Sequence, residues 1–298
     1  MTPEQILAIA PRVLTQQQRE FYFEQGYLLL ERVLTEHWIK KLRAATDEMI
    51  ERSRAVSESG KIFDLEPEHT RNEPRLRRVT NPAQHQTAFW EYCNESIMPD
   101  IVADLVGPEV KFHHSKLNFK WKRGGEEVKW HYDIGFFPHT NYSVLTVGTY
   151  IYECAMEQGP LAVIPGSHLR DPLPTQYDDS GQWVGYVQER DLAKLDTDKA
   201  VYLTGPAGSL TIHSCRTMHG SRRNESELGR PLLLNTLTSG DAFPYTVNPA
   251  FPEHHQQMLR GSRPRVAHID PRSCEVPPDW SKGYTSIFAL QQDEATTA

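Results

Sequence analysis

The sequence predicts a mainly β chain with flanking helices, its strands closed into a double-stranded β-helix, a jelly-roll or cupin-like barrel. Three observations carry this. From about residue 110 onward, short apolar and aromatic runs recur between turn-rich breaks, at 110–122, 126–133, 144–153, 160–164, 199–203, 209–213 and 231–238; that rhythm suits a barrel of short strands. Ahead of them lie two stretches of helical character. Around them, segments 54–82, 170–198 and 239–285 are richer in Pro, Gly and charge, as loops at a barrel mouth are.

In chain order, Leu14-Thr-Gln-Gln-Gln-Arg-Glu-Phe-Tyr-Phe-Glu-Gln-Gly26 reads as a helix closed by Gly26, followed by a strand at Tyr27-Leu-Leu-Leu30. Thr35 can cap a second helix through about Ser53, with Trp38, Ile39, Leu42, Ala45, Met49 and Ile50 on one stripe and Leu34 placed to staple onto Ile39. Such helices buttress a sheet from outside. No internal repeat or low-complexity linker marks a boundary. One domain over 1–298 is therefore expected, with buttressing helices at about 15–55, a barrel core at about 110–240, and C-terminal loops and tail at 239–298.

Composition excludes more than it selects. A net charge of -7 speaks against a general nucleic-acid binder, whose affinity rests on basic surface. No apolar run approaches the length of a membrane span, and Met1-Thr-Pro-Glu-Gln5 lacks the basic and apolar regions of a secretory signal, so a cytoplasmic protein is expected. Cys93, Cys154, Cys215 and Cys274 are scattered without a Cys-x-x-Cys pair and read as reduced thiols.

The candidate chemistry begins at His131-Tyr132-Asp133. Residues two apart on a strand share a face, so His131 and Asp133 can reach one metal ion together, and His219, on a second strand, can complete the set. Two imidazoles and a carboxylate on one face of an octahedron, with open positions opposite, are the ligands of non-heme Fe(II) oxygenases. Ser221 through Gly229 is polar turn material, which places His219 and Arg230 on either side of one hairpin. A guanidinium there can fork onto the far carboxylate of a dicarboxylic cosubstrate that chelates the iron from its other end.

In four ordered blocks the chain resembles the phytanoyl-CoA dioxygenase family of Fe(II)/2-oxoglutarate oxygenases. The blocks are Ser115-Lys-Leu-Asn-Phe-Lys120, Trp130-His-Tyr-Asp-Ile-Gly-Phe-Phe-Pro-His139, Gly159-Pro-Leu-Ala-Val-Ile-Pro-Gly-Ser-His168, and His219-Gly-Ser221 with Arg230, and the resemblance spans roughly 15–240. It implies that His131, Asp133 and His219 bind Fe(II), and that Arg230 and Ser221 hold the far carboxylate of 2-oxoglutarate. Lys116, Asn118 and Thr149 match strand positions that line such pockets. The implied reaction consumes O2 and 2-oxoglutarate, releases succinate and CO2, and hydroxylates or otherwise oxidises a C–H bond of a small-molecule substrate. Tyr132 stands where family members often have Gln, but its side chain should point away from the metal. Asp133 speaks against halogenation, because the related halogenases have a small residue there to admit chloride.

The remaining features have plainer readings. His213, expected on the same strand as His219 and six residues before it, becomes a core residue or a support beside the ligands, since the spacing to Arg230 and the Gly-Ser after His219 favour His219 as the distal ligand. His168 is read as bonding backbone, and His139, His113-His114 and His254-His255 as carrying no metal. Arg71-Asn-Glu-Pro-Arg-Leu-Arg-Arg78 reads as a solvated loop paired with acidic neighbours, with the steering of an anionic substrate as its alternative. Trp183, Tyr186, Phe243 and Tyr245 either anchor the loops or line a pocket for an apolar substrate. Two other classes stay open: a zinc-dependent hydrolase, in which Arg230 has no task, and a non-catalytic cupin-like metal- or ligand-binding protein.

Overall fold

The computed structural model describes residues 1–246, 251–280 and 288. Helices α1 (Pro3–Leu7) and α2 (Gln16–Gln25) lead into β1 (Tyr27–Leu30), and α3 (Glu36–Ser53) follows. Thr15 and Gln18 form a reciprocal capping box at the start of α2, and Gly26 ends it at φ +81°, where an added Cβ would strike the His168 ring. Ile39, Leu42, Ala45 and Met49 of α3 are buried, as their stripe predicts. Thr35, however, makes no side-chain cap bond.

Segment 54–82, expected as loop, contains β2 (Phe63–Leu65) and β3 (Leu76–Thr80). After them come α4 (Pro82–His85), α5 (Thr87–Glu95) and α6 (Met98–Val106). The barrel strands are β4 (Val110–Lys120), β5 (Val128–His131), β6 (Val144–Tyr150), β7 (Leu161–Val163), β8 (Val201–Leu203), β9 (Leu210–Ser214), β10 (His219–Ser221) and β11 (Arg230–Ser239). Among the described residues, segment 239–285 holds one short strand, β12 (Met258–Arg260), and 170–198 only one short α-helix, Glu189–Leu192.

The strands form two antiparallel sheets. The larger has eight strands in the order β1-β9-β6-β11-β4-β3-β2, with β12 also on β4; the smaller has four, β5-β10-β7-β8. This corrects two sequence expectations. Strands β10 and β11 lie in different sheets, so His219 and Arg230 do not flank one hairpin; residues 222–229 carry the chain from one sheet to the other. His213, on β9, likewise does not share a strand with His219.

Period-2 alternation gives the larger sheet two uses. Leu117 of β4, Leu145 and Val147 of β6, Leu210 and Ile212 of β9, and Leu233 and Leu237 of β11 face the helices in the principal core, with Phe89, Tyr92, Met98 and Ile101 from α5 and α6. Their alternates face the smaller sheet and line the cavity between. A second core joins Tyr132, Ile134, Phe136, Trp183 and Trp280. Trp183 thus anchors its loop. The four cysteines are free. Among the described residues no helix is long and apolar enough to cross a membrane.

Candidate active site

Strand β5 ends at His131 and pairs with β10 so that His131 and His219 are directly opposite. Tyr132 continues in extended conformation, and Asp133 opens a 3-10 turn that aims its carboxylate back at both imidazoles. Tyr132 points away, its hydroxyl donating to Glu275 at 3.1 Å. His131, Asp133 and His219 each offer one ligand atom within 4.8 Å of the others; among the described residues they are the one His, Cys, Asp or Glu group that could hold a metal ion.

The second ring nitrogens fix how the imidazoles present themselves. His131 Nδ1 donates to the Lys129 carbonyl at 2.9 Å and His219 Nδ1 to the Thr217 carbonyl at 3.0 Å, which leaves each Nε2 with its lone pair toward the cavity. Burial pushes His131 down to about 4 and His219 well below the usual imidazole range, so both are neutral at physiological pH, the form that can bind a metal. Burial opposes the charge on Asp133, but His213, His219 and Lys116 outweigh it and hold the carboxyl well below its ordinary value. Thr146 of β6 donates to Asp133 Oδ2 at 2.9 Å, and His213 Nε2 stands 3.4 Å from the same oxygen.

Arg230 is buried at the end of β11, opposite Lys120 of β4. Its Nη2 donates to the Gly159 carbonyl at 3.0 Å, while Nε and Nη1 have no hydrogen-bond partner. Unmatched N–H groups on a buried guanidinium are costly unless a ligand completes them, and an anion is the natural complement. Lys120, which sequence reasoning did not single out, sits beside them and donates to the Ser221 and Arg222 carbonyls. Burial, reinforced by Arg230, pushes its ammonium down to about 6. Its sequence signal was parity: Lys116, Asn118 and Lys120 alternate on one face of β4.

One cavity collects His131, Asp133, His219, Ser221, Arg230, Lys116 and Asn118. Thr149 is not among its lining and requires correction. With Leu145 and Val147 it belongs to the outward phase of β6, and its hydroxyl is bonded to Tyr92 on α5 at 2.8 Å. Thr146, three residues earlier, is the β6 threonine that reaches the site. Of the other histidines, His168 bonds the Phe23 carbonyl through Nε2 at 3.0 Å, and His139, His113 and His255 pack as a ring cluster with Phe137 and Phe251.

A family model described as phytanoyl-CoA dioxygenase matches residues 22–232, which take in the metal-ligand candidates, the guanidinium and most of the barrel. The chain belongs to the phytanoyl-CoA dioxygenase family. Curated relatives of this phytanoyl-CoA dioxygenase family member include a probable alpha-ketoglutarate-dependent hypophosphite dioxygenase from Stutzerimonas stutzeri, 28% identical over 266 residues and covering 89% of this chain and 91% of the relative. An ectoine dioxygenase from S. stutzeri is 26% identical over 219 residues, covering 69% and 70%. Among solved structures, EctD from S. alaskensis with 2-oxoglutarate and 5-hydroxyectoine superposes with a TM-score of 0.68 at 21% identity, covering 88% of this chain and 91% of that one. The carbocyclase SnoK from nogalamycin biosynthesis gives 0.62 at 22%, covering 79% and 89%. Like its family, the chain is an iron- and 2-oxoglutarate-dependent dioxygenase.

Proposed function

We propose that this dioxygenase oxidises an unactivated C–H bond of a small-molecule metabolite, with hydroxylation as the outcome and succinate and CO2 as coproducts. The observation that carries the site assignment is the shared cavity: a His2Asp group at one end and, at the other, a buried arginine with Nε and Nη1 unmatched. A zinc hydrolase has no use for that arginine, and a simple metal-binding barrel has no use for its orphaned donors.

In this reading His131, Asp133 and His219 hold Fe(II), and Arg230 clamps the far carboxylate of 2-oxoglutarate, with Ser221, Asn118 and Lys120 on the adjoining wall. Iron and 2-oxoglutarate supply the oxidising power when bound with O2. The protein's own residues orient and shield. Thr146 fixes the Asp133 carboxylate, with His213 Nε2 standing beside it, the Lys129 and Thr217 carbonyls fix the imidazole tautomers, and Phe288, Leu161 and Leu232 present apolar walls against water.

The deciding experiment is an anaerobic Fe(II) titration of metal-free protein with and without 2-oxoglutarate, following the weak visible charge-transfer band of the chelate. The band is expected in the wild type and absent from His219→Ala. Tight zinc binding without any band would favour the hydrolase.

A further inference from the structure

Tyr132, the residue between His131 and Asp133, is held from behind at both of its ends. Its hydroxyl donates to Glu275 Oε2 at 3.1 Å, and its carbonyl accepts from Gln176 Nε2 at 3.3 Å. Glu275 Oε2 also accepts from the Gln176 backbone N–H at 3.1 Å. The three contacts close a ring, from Tyr132 to Glu275 to Gln176 and back to Tyr132. Its members come from three parts of the chain: the metal-ligand turn, the loop segment 170–198, and the C-terminal segment beyond β12.

The ring is built into the interior. Tyr132 is 2% exposed and Gln176 is fully buried. Gln176 lies so close to the turn that a Cβ added at Gly135 would strike its Oε1. Its Nε2 also donates to the Gly185 carbonyl at 3.2 Å, which ties the amide to its own loop. None of the three side chains lines the cavity that collects the ligands. Glu275 also lies beyond residue 232, where the family match ends.

The ring bears on Asp133 through backbone geometry. In extended chain successive side chains point to opposite faces, and Tyr132 is extended, with φ −128° and ψ 147°. Fixing its hydroxyl and its carbonyl on the far side therefore sets where the next side chain leaves the backbone on the cavity side. A carboxylate oxygen accepting from two donors makes the stronger, charge-assisted kind of hydrogen bond.

We propose that Glu275 and Gln176 are positioning residues for Asp133, acting through Tyr132, so that the C-terminal segment sets the affinity of a metal site it does not touch. The inference rests on the proposed metal role of Asp133 and adds the residues that aim that ligand. The C-terminal segment has anchors of its own: the Tyr142 hydroxyl donates to the Arg272 and Ser273 carbonyls at 3.2 and 3.1 Å, and the Tyr177 hydroxyl to the Val276 carbonyl at 2.7 Å. Removing the Glu275 carboxylate thus leaves the segment attached, and Tyr177→Phe loosens it one residue away without removing a ring contact.

The test titrates full-length, metal-free protein anaerobically with Fe(II) by calorimetry, and in parallel with Co(II), whose visible d–d bands report ligand geometry. Tyr132→Phe and Glu275→Ala should each weaken Fe(II) binding about tenfold, the low end of the range for partners of a metal ligand, and should shift the Co(II) bands. The double variant should be no worse than Glu275→Ala alone, because both changes break the same contact. Tyr177→Phe should match the wild type in both readouts. Circular dichroism checks folding, and Tyr132→Phe, which loses a single oxygen, carries the test if Glu275→Ala does not fold. Unchanged Fe(II) affinity and Co(II) bands in the ring variants overturn the inference. So does a Tyr177→Phe loss as large as theirs, which would make the effect a general loosening, and so do losses that add in the double variant. A wild type that binds neither ion is a separate result; it removes the metal site, and the inference with it.

Discussion

His213 Nε2 lies 3.4 Å from Asp133 Oδ2, the oxygen to which Thr146 donates at 2.9 Å, so the larger sheet crowds one carboxylate oxygen while the other faces His219. Partners one step removed from a metal tune ligand orientation and affinity by about 10- to 100-fold. His213→Ala should therefore weaken Fe(II) binding by roughly that factor without abolishing it. His219→Ala should abolish the chelate band. Equal loss in both would make His213 a ligand, and parallel Fe(II) titrations of the two variants decide.

Arg230→Ala should act on the cosubstrate. Removing one side of a buried, bidentate charge pair costs on the order of 2–5 kcal/mol, which should appear as a large rise in the 2-oxoglutarate dissociation constant while Fe(II) still binds. An unchanged affinity would refute the clamp. The affinity is read from the charge-transfer band at increasing 2-oxoglutarate.

Lys120 makes that affinity pH-dependent. With its ammonium pushed down to about 6, it is mostly neutral at pH 7.5 before the cosubstrate arrives. A carboxylate beside it favours the charged form, so binding draws in a proton. Affinity should thus rise as pH falls from 8 and level off below about 6. Lys120→Met should flatten the profile. Titrations across that range in two buffers of different ionisation enthalpy measure the proton uptake directly.

Thr149→Val probes the outward face. The substitution strands the buried Tyr92 hydroxyl, at a cost of about 1–3 kcal/mol, and should lower the melting temperature. Because Thr149 is not in the cavity lining, 2-oxoglutarate affinity should be unchanged. A selective loss of cosubstrate binding would return it to the site.

Seven of the eight barrel strands were legible because apolar and aromatic alternation writes them directly into the sequence, and each lies within a few residues of its expected place; the three-residue β10 was not among the expected segments. The metal-ligand candidates were found from the His-x-Asp spacing, but not by the expected route: β5 ends at His131, and Asp133 reaches the imidazoles from the 3-10 turn that follows and not from a shared strand face. Strand periodicity corrects Thr149, whose odd number sets it with Val147 and not with Thr146. Strands β2 and β3 were hidden because Arg77 and Arg78 look like solvated charge until Asp64, Glu126 and Asn118 are folded against them. The His219–Arg230 connection was misread because local turn chemistry says that the chain reverses, and only sheet pairing says which sheet receives it.

The crossing of residues 222–229 has a mechanical consequence. His131 and His219 belong to the smaller sheet and Arg230 to the larger, so a diacid held at both ends is a strut between two layers that otherwise meet through side chains and connections. Under the proposed function, loading would stiffen the barrel from inside, and turnover would replace the strut with succinate, one carbon shorter and without the keto oxygen. The enzyme would then be clasped by the molecule it consumes, and each cycle would end by loosening its own jaws.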